Sequence, residues 1–180
     1  FIDSYQLASD SLENLIKYLT HEKIGEEEIF NLELAKNNLL HTKKYFNYLN
    51  DYQFSLIARK GFFCYDYLNS YDKFENTNIP THEDFFNKLN NCNISEEDYE
   101  HVKNVWNNLN CKTFKDYHDI YLKCDVLLLA DIIENLRTDL YNLYGLDILQ
   151  YITMPSFTWD AALKYSKTTI ELLENVDMFN

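Results

Sequence analysis

Tyr121-Leu-Lys-Cys-Asp-Val-Leu-Leu-Leu-Ala-Asp131 is the stretch on which the reading of this chain turns. It sets a phenol and a carboxylate four residues apart at the mouth of an unbroken apolar run. On a helix, positions i and i+4 share a face, so Tyr121 and Asp125 point the same way while residues 126–130 bury the turn that follows. An ionised carboxylate in such a place needs a partner, because an unpaired buried charge is costly. A divalent cation is one such partner, with the tyrosine hydroxyl left to hold a metal-bound water. A tyrosine packed beside a helix-surface carboxylate is the plainer reading, and the spacing by itself does not separate the two.

Outward from this run, the chain has no Gly or Pro from Thr113 until Gly145, and apolar or aromatic residues at 117, 121, 124, 128, 132, 136, 140 and 143 keep helical spacing. The pattern predicts one long helix over 113–144 whose stripe is core. Only Asp125, just off that stripe, needs a reason beyond packing. Upstream, Ser95-Glu-Glu-Asp98 has the form of a short-armed capping box and predicts a helix to about residue 109; Thr81 with Asp84 has the same form. Residues 9–19 read as an amphipathic helix with Leu12, Leu15, Ile16 and Leu19 on one face. The acidic stretch 26–28 precedes a short helix through Ala35, and 43–49 is another candidate. Phe1 and Ile2 read as the end of a strand, and 56–58 as a strand entering Lys60-Gly61. Pro155 is expected to break the chain before a last helix over 159–165. The chain is thus mainly α, without internal repeats or a Gly/Ser linker.

At 180 residues the chain is long enough for one domain with a real core. Lys and Arg number 16 against 29 Asp and Glu, a net charge of -13. Affinity for nucleic acid rests on clustered cations, so an autonomous high-affinity DNA binder is not expected. The mid-chain cations Lys43, Lys44, Arg59 and Lys60 read either as a solvated face or as a strand contact. Cysteines 64, 92, 111 and 124 show no Cys-x-x-Cys spacing and read as free thiols. A zinc site from Cys111, His118 and Cys124 lacks the paired ligand motif it would need. No apolar run approaches the roughly 20 residues of a membrane span, and no signal sequence opens the chain. An intracellular setting is therefore expected, in which the sequon at Asn93 is a coincidence of Asn-rich sequence.

With its apolar tail, the Tyr121-x-x-x-Asp125 pair resembles the third exonuclease motif of family-B DNA polymerases. The longer run Asp116-Tyr-His-Asp-Ile-Tyr-Leu-Lys-Cys-Asp-Val-Leu-Leu-Leu-Ala-Asp131 is similar to that of the protein-primed branch, in particular the polymerases of Polinton (Maverick) transposons and related viral or linear-plasmid elements. Three further stretches resemble the branch in the same order along the chain. Ser11-Leu12-Glu13-Asn14-Leu15 matches its Ser/Thr-Leu-x-x-hydrophobic motif, and Lys60-Gly61-Phe62-Phe63 its Lys-x-x-hydrophobic motif, with Tyr65 where an aromatic steadies the frayed strand. Pro155-Ser-Phe-Thr-Trp-Asp-Ala-Ala-Leu163 is similar to the passage from the exonuclease into the polymerase domain.

The resemblance implies the C-terminal portion of an RNase H-like α/β 3′-5′ exonuclease domain over residues 1–145, with residues 146–180 leading into the polymerase domain. It implies that Asp125 ligates a metal and Tyr121 orients the attacking water, in a site using two Mg²⁺ or Mn²⁺ ions. Ser11, Leu12, Lys60 and Tyr65 would hold the melted primer end. The implied partners are single-stranded or primer-template DNA, a terminal-protein primer and, for the full enzyme, dNTPs; the implied setting is the nucleus or a viral replication site. Under this reading Gly61 makes room for DNA, while plain loop geometry is its other account. The departures are Cys64 where the family often has proline and Ser156 where it often has glycine. More serious, neither the first two exonuclease motifs nor the polymerase carboxylates are present, so the chain alone is expected to be silent, and a truncated or decayed copy is one origin. The alternatives are an acidic helical interaction domain without catalysis and, less directly, a stand-alone nuclease.

Overall fold

In the computed structural model, residues 3–170 are described; the strand end expected at Phe1 and Ile2 lies outside them. The chain divides into two compact units, Ser11–Ile133 and the combination of Phe1–Asp10 with Glu134–Asn180. Both are mainly helical, and the sheet found among the described residues has two strands.

The larger unit opens with α1 (Leu12–Thr20), capped by Ser11, whose Oγ accepts from the Asn14 amide at 3.2 Å. Ile16 is buried, and Leu12, Leu15 and Leu19 pack around it, so the expected apolar face is the packed one. A hairpin follows, β1 (His21–Ile24) paired antiparallel with β2 (Glu27–Phe30) through Gly25, whose φ of +68° is the left-handed conformation a tight turn needs. Three short helices come next: α2 (Leu32–Asn38), α3 (Leu40–Tyr45) and α4 (Asp51–Ile57). Asn31 caps α2, and Asn50 with Gln53 forms a complete capping box on α4. Residues 56–58, expected as a strand, are instead the end of α4 and its cap. A three-residue apolar run cannot distinguish a strand from the buried end of a helix.

Helix α3 has no local side-chain cap. The Asp131 carboxylate, 1% exposed, does that work from far along the chain. It accepts from the backbone amides of His41 at 2.7 Å and Thr42 at 3.0 Å, and from the Thr42 hydroxyl at 2.7 Å. Two clusters fill this unit. One joins Ile16, Leu39, Phe54 and Ile57 to Cys124, Leu128 and Ile132; the other gathers Cys64, Val102, Trp106, Phe114 and Tyr117.

Thr81 and Asp84 form their capping box, but on a 3-10 turn over His82–Phe85 in place of an α-helix. Helix α5 (Glu96–Asn108) starts at Ser95 as expected, and α6 (Phe114–Tyr144) is the long helix the spacing predicts. At its start Asp116 accepts from the amides of Lys112 and Thr113, both at 2.9 Å, and these bonds hold its carboxyl below the usual range.

In the second unit, the last turns of α6 supply Leu136, Leu140 and Tyr144 to a cluster with Leu7, Ile148, Phe157 and Ala161. Arg137 grips Asp147 through two nitrogens, at 3.0 and 2.6 Å. Helix α7 (Met154–Ser166) begins with a Thr153 cap and carries Pro155 in its first turn. Pro155 therefore starts this helix and does not merely break the chain, because a first-turn proline gives up no intrahelical hydrogen bond.

Candidate functional site

The loop leaving α4 runs Arg59-Lys60-Gly61-Phe62-Phe63 along the first half of α6. Two contacts fix it there. The Tyr117 hydroxyl donates to the Phe62 carbonyl at 2.5 Å, and Gly61 lies so near the Tyr121 ring that a Cβ at 61 would fall 3.0 Å from Tyr121 Cδ2. The requirement for glycine is thus a close approach, made by a side chain of this same protein. Phe63 then stacks on Tyr121, with ring centroids 4.9 Å apart and planes 23° apart, and on Phe114 at 5.5 Å.

Tyr65 meets this stack edge-on, and its hydroxyl lies 2.5 Å from that of Tyr121. Burial above all, then hydrogen bonding to Tyr65 and to Asp125, raises the Tyr121 pKa well above the ordinary phenol value. Tyr121 is a neutral hydrogen-bonding group at any physiological pH. It shares a helix face with Asp125, as the spacing predicts. The Asp125 Oδ1 is enclosed and has no hydrogen-bond partner among the described residues. Such an atom is expensive to leave alone, at about 1–3 kcal/mol or more for a charged group.

Lys60, Tyr65 and Tyr121 all line one cleft of about 490 Å³, together with Glu13 from α1 and with Asn90 and Asn93 from the loop before α5. Aromatic faces and amides suit a ligand that offers flat rings and hydrogen-bonding edges, while the single lysine stands against two carboxylates, Glu13 and Asp98. Three of the six residues expected from the sequence thus meet in one place, and a fourth, Asp125, joins them through Tyr121. Ser11 and Leu12 do not line the cleft. Ser11 is engaged as a helix cap and Leu12 packs on the core, while their neighbour Glu13 reaches the cleft. Sequence reasoning did not single out Glu13 or the Asn-rich loop, and neither carries a spacing signal.

Below Gly61 lies a cavity of about 20 Å³, room for one water, lined by Tyr117, Tyr121, Cys124 and His101. Burial first, then the nearby Arg59, lowers the His101 pKa to about 4, and its Nε2 is enclosed without a partner. Among the described residues no group of three or more His, Cys, Asp or Glu could hold a metal ion. Cys111, His118 and Cys124 therefore do not assemble a zinc site, and burial pushes the thiols of Cys64, Cys111 and Cys124 up to about 12. The described residues fit a divalent cation only in part: Asp125 offers one hard oxygen with an unused lone pair, but one carboxylate does not make a site. None of the described helices is long and apolar enough to cross a membrane. No protein-family model, curated protein or solved structure matches the chain.

Proposed function

We propose that the chain is the later part of the proofreading exonuclease domain of a protein-primed family-B DNA polymerase, leading into its polymerase domain. One observation carries this reading. Lys60, Tyr65 and Tyr121, singled out from separate motifs up to 61 positions apart in sequence, line the same cleft, and Asp125 stands four residues on from Tyr121 along the same helix. The ligand is the single-stranded 3′ end of a DNA primer, melted from its template.

Each group then has a task. Tyr65, 64% exposed, offers a face on which a terminal base stacks. Lys60, exposed beside it, meets a backbone phosphate. Tyr121, held by Tyr65 and Asp125, directs its hydroxyl oxygen toward the attacking water. Asp125 is one ligand for Mg²⁺ or Mn²⁺, its unpartnered oxygen being the atom with coordination to give. When bound, a pair of such ions supplies an activated water and stabilises the leaving oxygen. The other carboxylates, and the strands that complete an RNase H-like sheet, belong in this reading to sequence before residue 1. The terminal protein and dNTPs are partners of that whole enzyme, acting where a mobile or viral element replicates.

An acidic interaction domain without catalysis is the second reading, and one observation favours it: the Tyr121 hydroxyl is already satisfied within the protein. Photo-crosslinking separates the two. A single strand ending in 5-iodouridine should form adducts with Tyr65 or Phe63, and the yield should drop in Lys60→Ala. Adducts spread over the surface, with none in the cleft, would reject the DNA reading and leave the interaction domain.

A further inference from the structure

A second cleft, of about 360 Å³, adjoins the first. Glu13 and Lys60 line both. Its other polar walls are Lys17, His21, Ser55, Arg59 and His101. Three permanent cations thus face a space lined by one carboxylate, in a chain whose net charge is -13. We propose that this second cleft binds a phosphate-class oxyanion, gripped by Lys17, Arg59 and Lys60 with the His21 and His101 rings beside it. The inference stands whether or not the neighbouring cleft takes DNA.

The cations are held in different ways. Arg59 is oriented by Asp98 at 3.3 Å and by the Phe62 ring beneath its guanidinium at 5.4 Å. One bond to Asp98 leaves most of its five donors available, in the fixed fork that suits an oxyanion. Lys17 is paired with Glu13 at 3.0 Å, an ion pair half open to solvent and easily exchanged for a stronger partner. Lys60 makes no ion pair among the described residues.

Both imidazoles report the local field. Burial lowers the pKa of His21 first, followed by Lys17, with Arg59 also contributing, against an opposing pull from Glu28. His101 follows burial and then Arg59, with Asp98 opposing. His101 also has an enclosed Nε2 without a partner. Phosphate chemistry is common to a nucleic-acid backbone and to a free phosphate or pyrophosphate, and both fit this wall.

The test is a titration of the whole chain with inorganic pyrophosphate, followed by histidine ring NMR and by calorimetry. The resonances of His21 and His101 should move while those of His41 and His118, which line neither cleft, stay in place. Lys17→Gln should weaken binding about fivefold, as expected for a half-exposed charge contact. Lys17→Arg should restore it, and Lys43→Gln, at an exposed position of α3, should leave it unchanged. Competition by a short oligothymidylate for the same two resonances would identify a nucleic-acid backbone as the natural source; pyrophosphate binding without such competition would identify a free oxyanion. Rings of His21 and His101 that do not respond at millimolar pyrophosphate overturn the proposal. Equal weakening by Lys17→Gln and Lys43→Gln does so as well, since that is the behaviour of diffuse charge.

Discussion

Asp125 and Asp131 lie on the same helix, less than two turns apart, in opposite circumstances. Asp131 is 1% exposed and receives two amides and a hydroxyl, all from the start of α3. Asp125 sits beside the Tyr121 phenol, whose pKa it helps to raise, but keeps one enclosed oxygen without a donor. A buried carboxylate that collects its donors is a structural part, tying α6 to α3 across about 90 residues of sequence. One left short of donors is where a ligand has something to add. The difference separates two acids that composition alone would treat alike.

The comparison breaks first at Asp131. Asp131→Ala leaves three donors facing a void, and chemical denaturation should show a loss of about 3–5 kcal/mol, the range for removing one side of a buried charged network. Set against the 5–15 kcal/mol stability typical of a domain, that endangers folding. A loss under about 1 kcal/mol would mean the α3 amides find water readily, and the structural role assigned to this carboxylate would fail.

Gly61→Ala should cost less, about 1–2 kcal/mol, because the new methyl meets the Tyr121 ring at 3.0 Å and the stack must shift. The near-ultraviolet circular dichroism of the tyrosines should change with it, whereas an unaltered spectrum would show the ring free to move. At Asp125 the expected cost is smaller again. Asp125→Asn should stay within about 1 kcal/mol of the parent, or gain stability, since it removes a charge that the fold leaves partly unpaired. A large loss would place Asp125 with Asp131 as a structural part.

The smallest effect sharpens the cleft itself. Cys92 lines it and is exposed, while Cys64, Cys111 and Cys124 are buried with thiols pushed up to about 12. A thiol reagent at mild alkaline pH should therefore modify one cysteine in the native chain and all four after denaturation. Bound single strand should slow that one reaction; rapid labelling of a second thiol would show the core to be more open than this packing allows.

Much of this was legible in the sequence where the signal is local and repeated. Helix α6 declares itself through helical spacing uninterrupted by Gly or Pro, and Ser95 marks the start of α5. The β1–β2 hairpin does not, because the six strand positions other than His21 and Phe30 are all exposed, so no alternation of buried and exposed residues is written there. The α4 end at 56–58 reads as a strand from sequence because a buried helix end and a short strand share an apolar run. At the site, the pairing of Tyr121 with Asp125 follows from helical geometry. The meeting with Tyr65 and Lys60 rested on resemblance alone, since their motifs are distant in sequence. Asp131 was invisible as a structural part: its donors lie on another helix, and nothing in the spacing around it points there.

The most direct measurement uses the complete reading frame, with any upstream carboxylates, acting on a 3′-labelled single strand in Mn²⁺. Proofreading digestion should be present in the parent and lost in Asp125→Asn, with DNA synthesis largely kept and stability nearly unchanged. Digestion that survives Asp125→Asn would contradict the account, for the carboxylate left short of donors would then have no catalytic use.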